Sequence, residues 1–291
     1  MSVQVVPPDP SMVEADVRRA LAEDVREGDV TASLLPDGPD IAYLLCKEDA
    51  VIAGRPWFDA THQALDPDVR IDWRINEGDR VQAHTVIATL EGKNRSLVTA
   101  ERTALNFLQT LSGTSTTTAQ YVDAVAGTGT KILDTRKTIP GLRMAQKYAV
   151  RMGGGHNHRI GLFDAVMLKE NHIRAFGSLA AAAKEATSRY PDLPLIVEVE
   201  TLAQLREALE TGCTRILIDD FDADTRRQAV RIARDEFGGR IPLEVSGGVD
   251  MTTLRGIAKD GVDFISIGSL TKHVRAIDLS MKLGPPPLTA R

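Results

Sequence analysis

From residue 131 onward the chain repeats one pattern: a short apolar run that ends in polar or glycine residues, then a segment with helical periodicity. The runs are KILDTRK, FDAVMLKEN, LPLIVEVE, TRILIDD, IPLEVSGG and VDFISIGS, and among them lie LAAAAKEATSRY, TLAQLREALETG, ADTRRQAVRIARDEF and MTTLRGIAKDG. Strand and helix in alternation predict a parallel sheet with helices outside it, closed here as a barrel. Six such runs leave the barrel incomplete, and the helix-like PGLRMAQKYAVRMGGG stands where an eightfold barrel would place another unit. The expected fold class is α/β, an incomplete parallel α/β barrel.

The first 115 residues do not follow this repeat. A helix from Ser11 to about Asp24 leads into strand-like IAYLLCKEDAVIAGRPWF and then VRIDWRINEGDRVQAHTVIATLEG, whose NEGD reads as a turn. A separate α+β domain with antiparallel strands is expected. The amphipathic SLVTAERTALNFLQTLSGTSTTTAQYVDAVAG connects it to the barrel, with Leu105, Leu108 and Leu111 along one helical face. The closing GPPPLTAR reads as a frayed tail. Cys46 and Cys213 show no CxxC spacing, which predicts reduced thiols in a cytoplasmic protein. The opening MSVQVVPPDP lacks a charged n-region and an apolar h-region, and no apolar run is long enough to span a bilayer. Neither export nor a membrane partner is expected.

Charge is distributed unevenly. The chain has 35 Lys+Arg against 40 Asp+Glu, a net −5, yet residues 131–174 hold nine Lys/Arg, three acids and three of the six histidines. The remainder therefore carries 26 basic and 37 acidic residues. One basic segment in an acidic chain argues against nucleic acid, which calls for a basic face or stripe, and suits a small, highly charged anion.

Parallel barrels build their sites at the C-terminal ends of the strands. There the runs place Asp134, Arg136 and Lys137, then Lys169, Glu198, Asp219 and Glu244. Period two puts Glu198 and Glu200 on one face, so strand position decides which of them reaches the mouth. Ordinary solvent-facing strand ends are the plain alternative. Ser246–Gly248 and Ile267–Ser269 form paired glycine-rich loops after the last two strands, a usual phosphate cradle, with simple strand-to-helix turns as the alternative. In HNH at 156–158, alternate residues of a strand would share a face, but no cysteine or third histidine sits at zinc spacing. The preceding GGG lets backbone approach a ligand, and Arg159 beside His158 supplies a fork suited to a carboxylate. In ERTALNF, Arg102 reads by pattern alone as a surface residue of an amphipathic helix.

Taken together, AERTALNFLQTLSG, LDTRKTIPGLR, GGG followed by NHRIGL, DAVMLKENH, VEVE, LEVSGG and VDFISIGSLTKHVRAIDLSM resemble quinolinate phosphoribosyltransferase, in order from about residue 15 to 283. The resemblance implies a type II phosphoribosyltransferase. Its N-terminal α+β sandwich domain would cover residues 1–115, with 274–291 packing back on it, and its barrel 116–273. It implies a homodimer with shared active sites, or a higher oligomer, in which the partner's N-terminal domain completes each barrel. The implied reaction joins quinolinate and phosphoribosyl pyrophosphate, with Mg²⁺, to give nicotinate mononucleotide, carbon dioxide and pyrophosphate in de novo NAD biosynthesis. By matched motif, Arg136, His158, Arg159 and Lys169 would hold the two quinolinate carboxylates, joined by Arg102 of the other subunit. Lys137, Glu198 and Asp219 would handle ribose, pyrophosphate and magnesium, the metal through water and pyrophosphate, and these three with Lys169 would be the catalytic set. Ser246, Gly247, Gly248, Gly268 and Ser269 would take the 5′-phosphate, with Lys272 and His273 close by. One departure stands out: Asp220 occupies a position where the family is expected to have Asn, which adds a negative charge beside the proposed metal-side acid.

Two other readings share parts of this pattern. A nicotinate phosphoribosyltransferase or a molybdenum-operon relative would keep the barrel and phosphate loops, but one carboxylate does not require so many cations. A non-catalytic phosphosugar binder would gain nothing from Glu198 and Asp219.

Overall fold

The computed structural model describes residues 8–287. Residues 1–7, which open the stretch read for an export signal, and 288–291 of the tail read as frayed lie outside them. The described chain forms two compact units, one of Met1–Ala119, Thr138–Gly154 and Leu270–Arg291, the other of Gln120–Lys137 and Gly155–Ser269.

The first unit begins with α1 (Pro10–Asp24), whose N-cap Asp9 accepts the Ser11 N–H. Strands β1 (Pro39–Cys46), β2 (Ala50–Val51), β3 (Arg70–Trp73), β4 (Arg80–Val81) and β5 (Thr85–Lys93) follow, with α2 (Arg55–Leu65) inserted after β2. The main sheet has the order β12-β1-β5-β3 and is antiparallel throughout, where β12 is Leu279–Leu283 near the chain's end. The NEGD turn forms as expected, Asn76 N–H donating to Asp79 Oδ2 at 2.7 Å.

The strand reading of GRPWF fails. That segment opens α2, whose first N–H groups, from Gly54 and Arg55, donate to the Glu77 carboxylate of the NEGD turn. A cap supplied from 22 residues away leaves no local trace in the sequence.

The first part of α3 (Asn94–Ala124) also belongs to this unit. Leu105 and Leu108 pack with Leu44, Ile87 and Leu90 of the sheet, while Phe107 and Leu111 pack with Val13, Trp57, Ala145 and Ala149 in a second cluster. The single apolar face read for α3 is thus shared between two cores. Ala145 and Ala149 lie on α4 (Arg143–Met152), and so does Lys147, which is only 2% exposed.

His62 on α2 is 1% exposed beside Phe58, and burial pushes its pKa down to about 4. A histidine lowered on folding contributes stability above its unfolded pKa that is lost as pH falls from about 6.5 toward about 4. That loss amounts to roughly 3 kcal/mol. His62→Leu is expected to flatten this part of the melting-temperature profile relative to wild type. Parallel acid limbs in the two proteins would assign the acid sensitivity elsewhere.

The second unit is the parallel one. Its strands are β6 (Lys131–Leu133), β7 (Val166–Leu168), β8 (Leu195–Val199), β9 (Arg215–Asp219), β10 (Leu243–Ser246) and β11 (Phe264–Ser266), in the order β6-β11-β10-β9-β8-β7. All six strands read from the sequence are present, paired in parallel. Helices α5 (Glu170–Phe176), α6 (Leu179–Arg189), α7 (Leu202–Glu210), α8 (Ala223–Arg231) and α9 (Leu254–Lys259) connect them. Ser178, Thr201 and Asp222 cap α6, α7 and α8 with their side-chain oxygens. The sheet is open between β6 and β7, and on the free edge of β6 His156 makes a parallel bridge to Leu133.

Candidate active site

The strand register sets out the site. Glu198, Leu217, Glu244 and Phe264 pair across β8, β9, β10 and β11, and two residues further on Asp219 pairs with Ser246. Alternation turns these rows to one face. Glu198, Leu217, Glu244, Asp219 and Ser246 line a cavity of about 360 Å³ together with Thr135, Arg136, Lys137, His158, Arg159, Met167, Lys169, Gly247 and Ser266. Strand position settles the choice between the two glutamates: Glu198 lines the cavity, whereas Glu200 lies beyond the strand and is exposed.

Lys169 caps the start of α5, and its Nζ lies 2.6 Å from Glu198 Oε2. Arg159 reaches the Ala165 carbonyl at 3.3 Å and the Met167 sulfur at 3.6 Å. Burial and the neighbouring Arg136 guanidinium push its pKa down. Two guanidinium groups held in mutual repulsion are poised for an anion, which relieves that repulsion on binding.

The basic segment 131–174 is not one cluster. Arg136, Lys137, Arg159 and Lys169 line the cavity, while Arg143, Lys147 and Arg151 belong to α4 in the first unit. Asp134, read as a strand-end site residue, is instead fully buried. Its Oδ1 accepts the His158 N–H at 2.8 Å and its Oδ2 the Asn157 amide at 2.6 Å. That carboxylate folds the HNHR segment against β6. HNH therefore does not run as a strand beyond His156. Among the described residues no three His, Cys, Asp or Glu side chains converge to hold a metal ion.

The two glycine-rich loops follow β10 and β11. Gly247 and Gly248 take φ of +89° and +57°, and a Cβ at Gly247 would sit 3.3 Å from Asp219 Oδ1. At Gly268 a Cβ would fall 2.8 Å from Lys137 Cδ, so the missing side chain is what lets Lys137 cross this loop. Ser269 Oγ is buried with no hydrogen-bond partner. Asp220 adopts φ +57°, a left-handed conformation that Asn and Asp tolerate better than other side chains. A backbone requirement thus accounts for Asp or Asn at this position. The Asp220 side chain is exposed and absent from the cavity wall.

The model of the quinolinate phosphoribosyl transferase C-terminal domain matches residues 114–282, and that of the N-terminal domain residues 29–112. The chain belongs to the quinolinate phosphoribosyltransferase family. A probable nicotinate-nucleotide pyrophosphorylase (carboxylating) of Synechocystis sp. is 42% identical over 275 residues, covering 94% of this chain and 92% of that protein. Quinolinate phosphoribosyltransferase (decarboxylating) 1b of Nicotiana tabacum is 40% identical over 92% of this chain and 81% of its own. A solved structure of the nicotinate-nucleotide pyrophosphorylase from Francisella tularensis matches with a TM-score of 0.91 and 43% identity, over 98% of this chain and 100% of that one.

Of the residues that the family resemblance singles out, Arg136, Lys137, His158, Arg159, Lys169, Glu198, Asp219, Ser246 and Gly247 share the cavity wall. Gly248, Gly268 and Ser269 lie in the two loops but are not part of that wall. Arg102, exposed on α3, and exposed Lys272 and His273 belong to the first unit. Glu244 and Ser266 also line the cavity, although no substrate role was read for either.

Proposed function

We infer that this protein transfers phosphoribosyl from phosphoribosyl pyrophosphate to quinolinate and decarboxylates the adduct, giving nicotinate mononucleotide, carbon dioxide and pyrophosphate in de novo NAD biosynthesis. Family membership supports the reaction. The observation that carries the site is the meeting of Arg136, Arg159 and Lys169 with Glu198 and Asp219 in one cavity. Three cations suit a dicarboxylate, and two carboxylates suit the sugar side of the donor.

In this reading Arg136, His158, Arg159 and Lys169 bind the quinolinate carboxylates and aim the ring nitrogen at C1 of the ribose. The nitrogen lone pair forms the new C–N bond as the C1–oxygen bond to pyrophosphate breaks. Glu198 faces the positive charge that develops at C1, as carboxylates do in glycoside chemistry. Lys137, held across Gly268, neutralises the leaving pyrophosphate. Ser246, Gly247, Gly248, Gly268 and Ser269 receive the 5′-phosphate, whose oxygens would supply the acceptor that Ser269 Oγ lacks. Lys272 and His273 add charge near it.

Two carboxylates on one cavity wall suit Mg²⁺, which is commonly bound by one or two carboxylates plus water and substrate phosphates. Glu198 and Asp219 would hold it, and when bound it neutralises pyrophosphate charge. After ribosylation the ring nitrogen is cationic. The electrons of the departing 2-carboxylate then remain on a carbon beside N⁺, where a proton replaces carbon dioxide. The protein's part is to keep water from that carboxylate.

The working assembly in this proposal is a cytoplasmic homodimer, or a higher oligomer built on it, with Arg102 of one copy serving the cavity of the other. No helix among the described residues is long and apolar enough to cross a membrane.

Nicotinate is expected to be a poor substrate where quinolinate reacts, because one missing carboxylate leaves cations unpaired at a cost of roughly 2 to 5 kcal/mol. Steady-state rates with each acid test this. Comparable turnover of both would reject the dicarboxylate assignment.

A further inference from the structure

Glu244 sits on β10 between Leu217 of β9 and Phe264 of β11, and it is 0% exposed although its side chain borders the cavity. Its Oε2 lies 3.4 Å from His158 Nε2 and 2.9 Å from Arg215 Nη1, while Oε1 has no hydrogen-bond partner. On the other edge of the imidazole, Nδ1 accepts the backbone N–H of Arg159 at 2.6 Å. A ring nitrogen that accepts carries no proton, so this hydrogen bond assigns the proton of the neutral ring to Nε2. A carboxylate facing Nε2 favours the same tautomer.

We propose that Glu244 is a positioning residue for the carboxylate site: with Arg215 as its counter-charge, it locks His158 in the Nε2–H tautomer and, through Nδ1, fixes the start of Arg159. The substrate side of this inference rests on the quinolinate reading given above. The opposite tautomer would set the Nε2 lone pair against the Glu244 carboxylate and an N–H against the Arg159 N–H. The locked tautomer sets an N–H toward Glu244 and leaves Nδ1 to hold the Arg159 backbone. A buried carboxylate beside a dianion site would by itself repel the ligand, and Arg215 offsets that charge. Its guanidinium is held in place by the Phe264 ring, 4.5 Å away. The arrangement is a relay of positions from Phe264 through Arg215, Glu244 and His158 to Arg159. Nothing in it requires Glu244 to touch substrate.

Nitrogen-15 NMR of histidine-labelled protein reads the tautomer directly, with the His158 signals identified by their loss in His158→Asn. Wild type is expected to show an unprotonated Nδ1 and a protonated Nε2. In Glu244→Gln, whose amide either donates or accepts, the ring is expected to exchange between tautomers. The same variant should raise the quinolinate KM by about tenfold or more and leave the phosphoribosyl pyrophosphate KM unchanged, the size expected for one charge-assisted hydrogen bond. In a His158→Asn background, Glu244→Gln should add no further rise. If the Gln variant does not fold, Arg215→Met perturbs the same carboxylate from its other side and should weaken quinolinate selectively. A wild-type Nδ1–H, an equal rise in both KM values, or full additivity with His158→Asn would overturn the proposal. The tautomer is read without substrate, so a protein that shows it but does not turn over quinolinate would refute the substrate assignment and leave the Glu244 geometry standing.

Discussion

Lys169→Ala is expected to abolish measurable quinolinate binding while phosphoribosyl pyrophosphate still binds. Lys169 Nζ is 2.6 Å from Glu198 Oε2, with the lysine side chain 44% and the glutamate 10% exposed. Removing it deletes one contact to a substrate carboxylate and also leaves Glu198 as an unpaired anion facing a dianion. The lost contact to the substrate, added to a mostly buried Glu198 left without its half-exposed partner, weakens quinolinate by roughly a hundredfold. The 5′-phosphate loops at Ser246–Gly248 and Gly268–Ser269 involve other residues, so the donor keeps its anchor. Titration calorimetry of each ligand on the variant checks this. Equal loss of both ligands, with the fold intact, would mean that the cavity is not divided as described.

The parallel unit was legible because its strands are short, apolar and end in residues of distinct chemistry. Period two then carries Glu198, Asp219 and Ser246 to one face without further information. What the sequence hid depends on long-range contact. Helix α2 is capped by Glu77 from another loop, and β12, which only the family resemblance brings back to the first domain, is a strand because it pairs with β1 across more than half the chain. Asp134 and Glu244 both read as strand-end acids of the mouth, yet both are fully buried. One clamps the HNHR backbone and the other faces His158, and only their depth separates them from Glu198. The basic segment misleads for a related reason. Proximity in sequence joined Arg143, Lys147 and Arg151 to Arg136 and Arg159, but α4 uses its apolar face to pack against Trp57 and Val13 in the first unit.

A second large effect concerns Arg102. On α3 it is exposed, and its proposed partner is quinolinate in the cavity of another copy. Arg102→Ala and Lys137→Ala homodimers are each expected to be nearly inactive. A mixed dimer has one site with both defects and one with neither. Refolding equal amounts together should restore activity to about a quarter of wild type, because about half the dimers are mixed and each has one intact site of two. If Arg102 serves its own chain, every mixed site carries one defect and the mixture stays inactive.

The central claim is that one cavity joins ribose to quinolinate and then releases its 2-carboxylate. Quinolinate labelled at the 2-carboxyl, incubated with the protein, phosphoribosyl pyrophosphate and Mg²⁺, reports on both steps at once. The account predicts labelled carbon dioxide that appears only when the donor is present, in amounts equal to the nicotinate mononucleotide and pyrophosphate formed. Label retained in a ribosylated product, or quinolinate left unchanged while the donor is consumed, would contradict it.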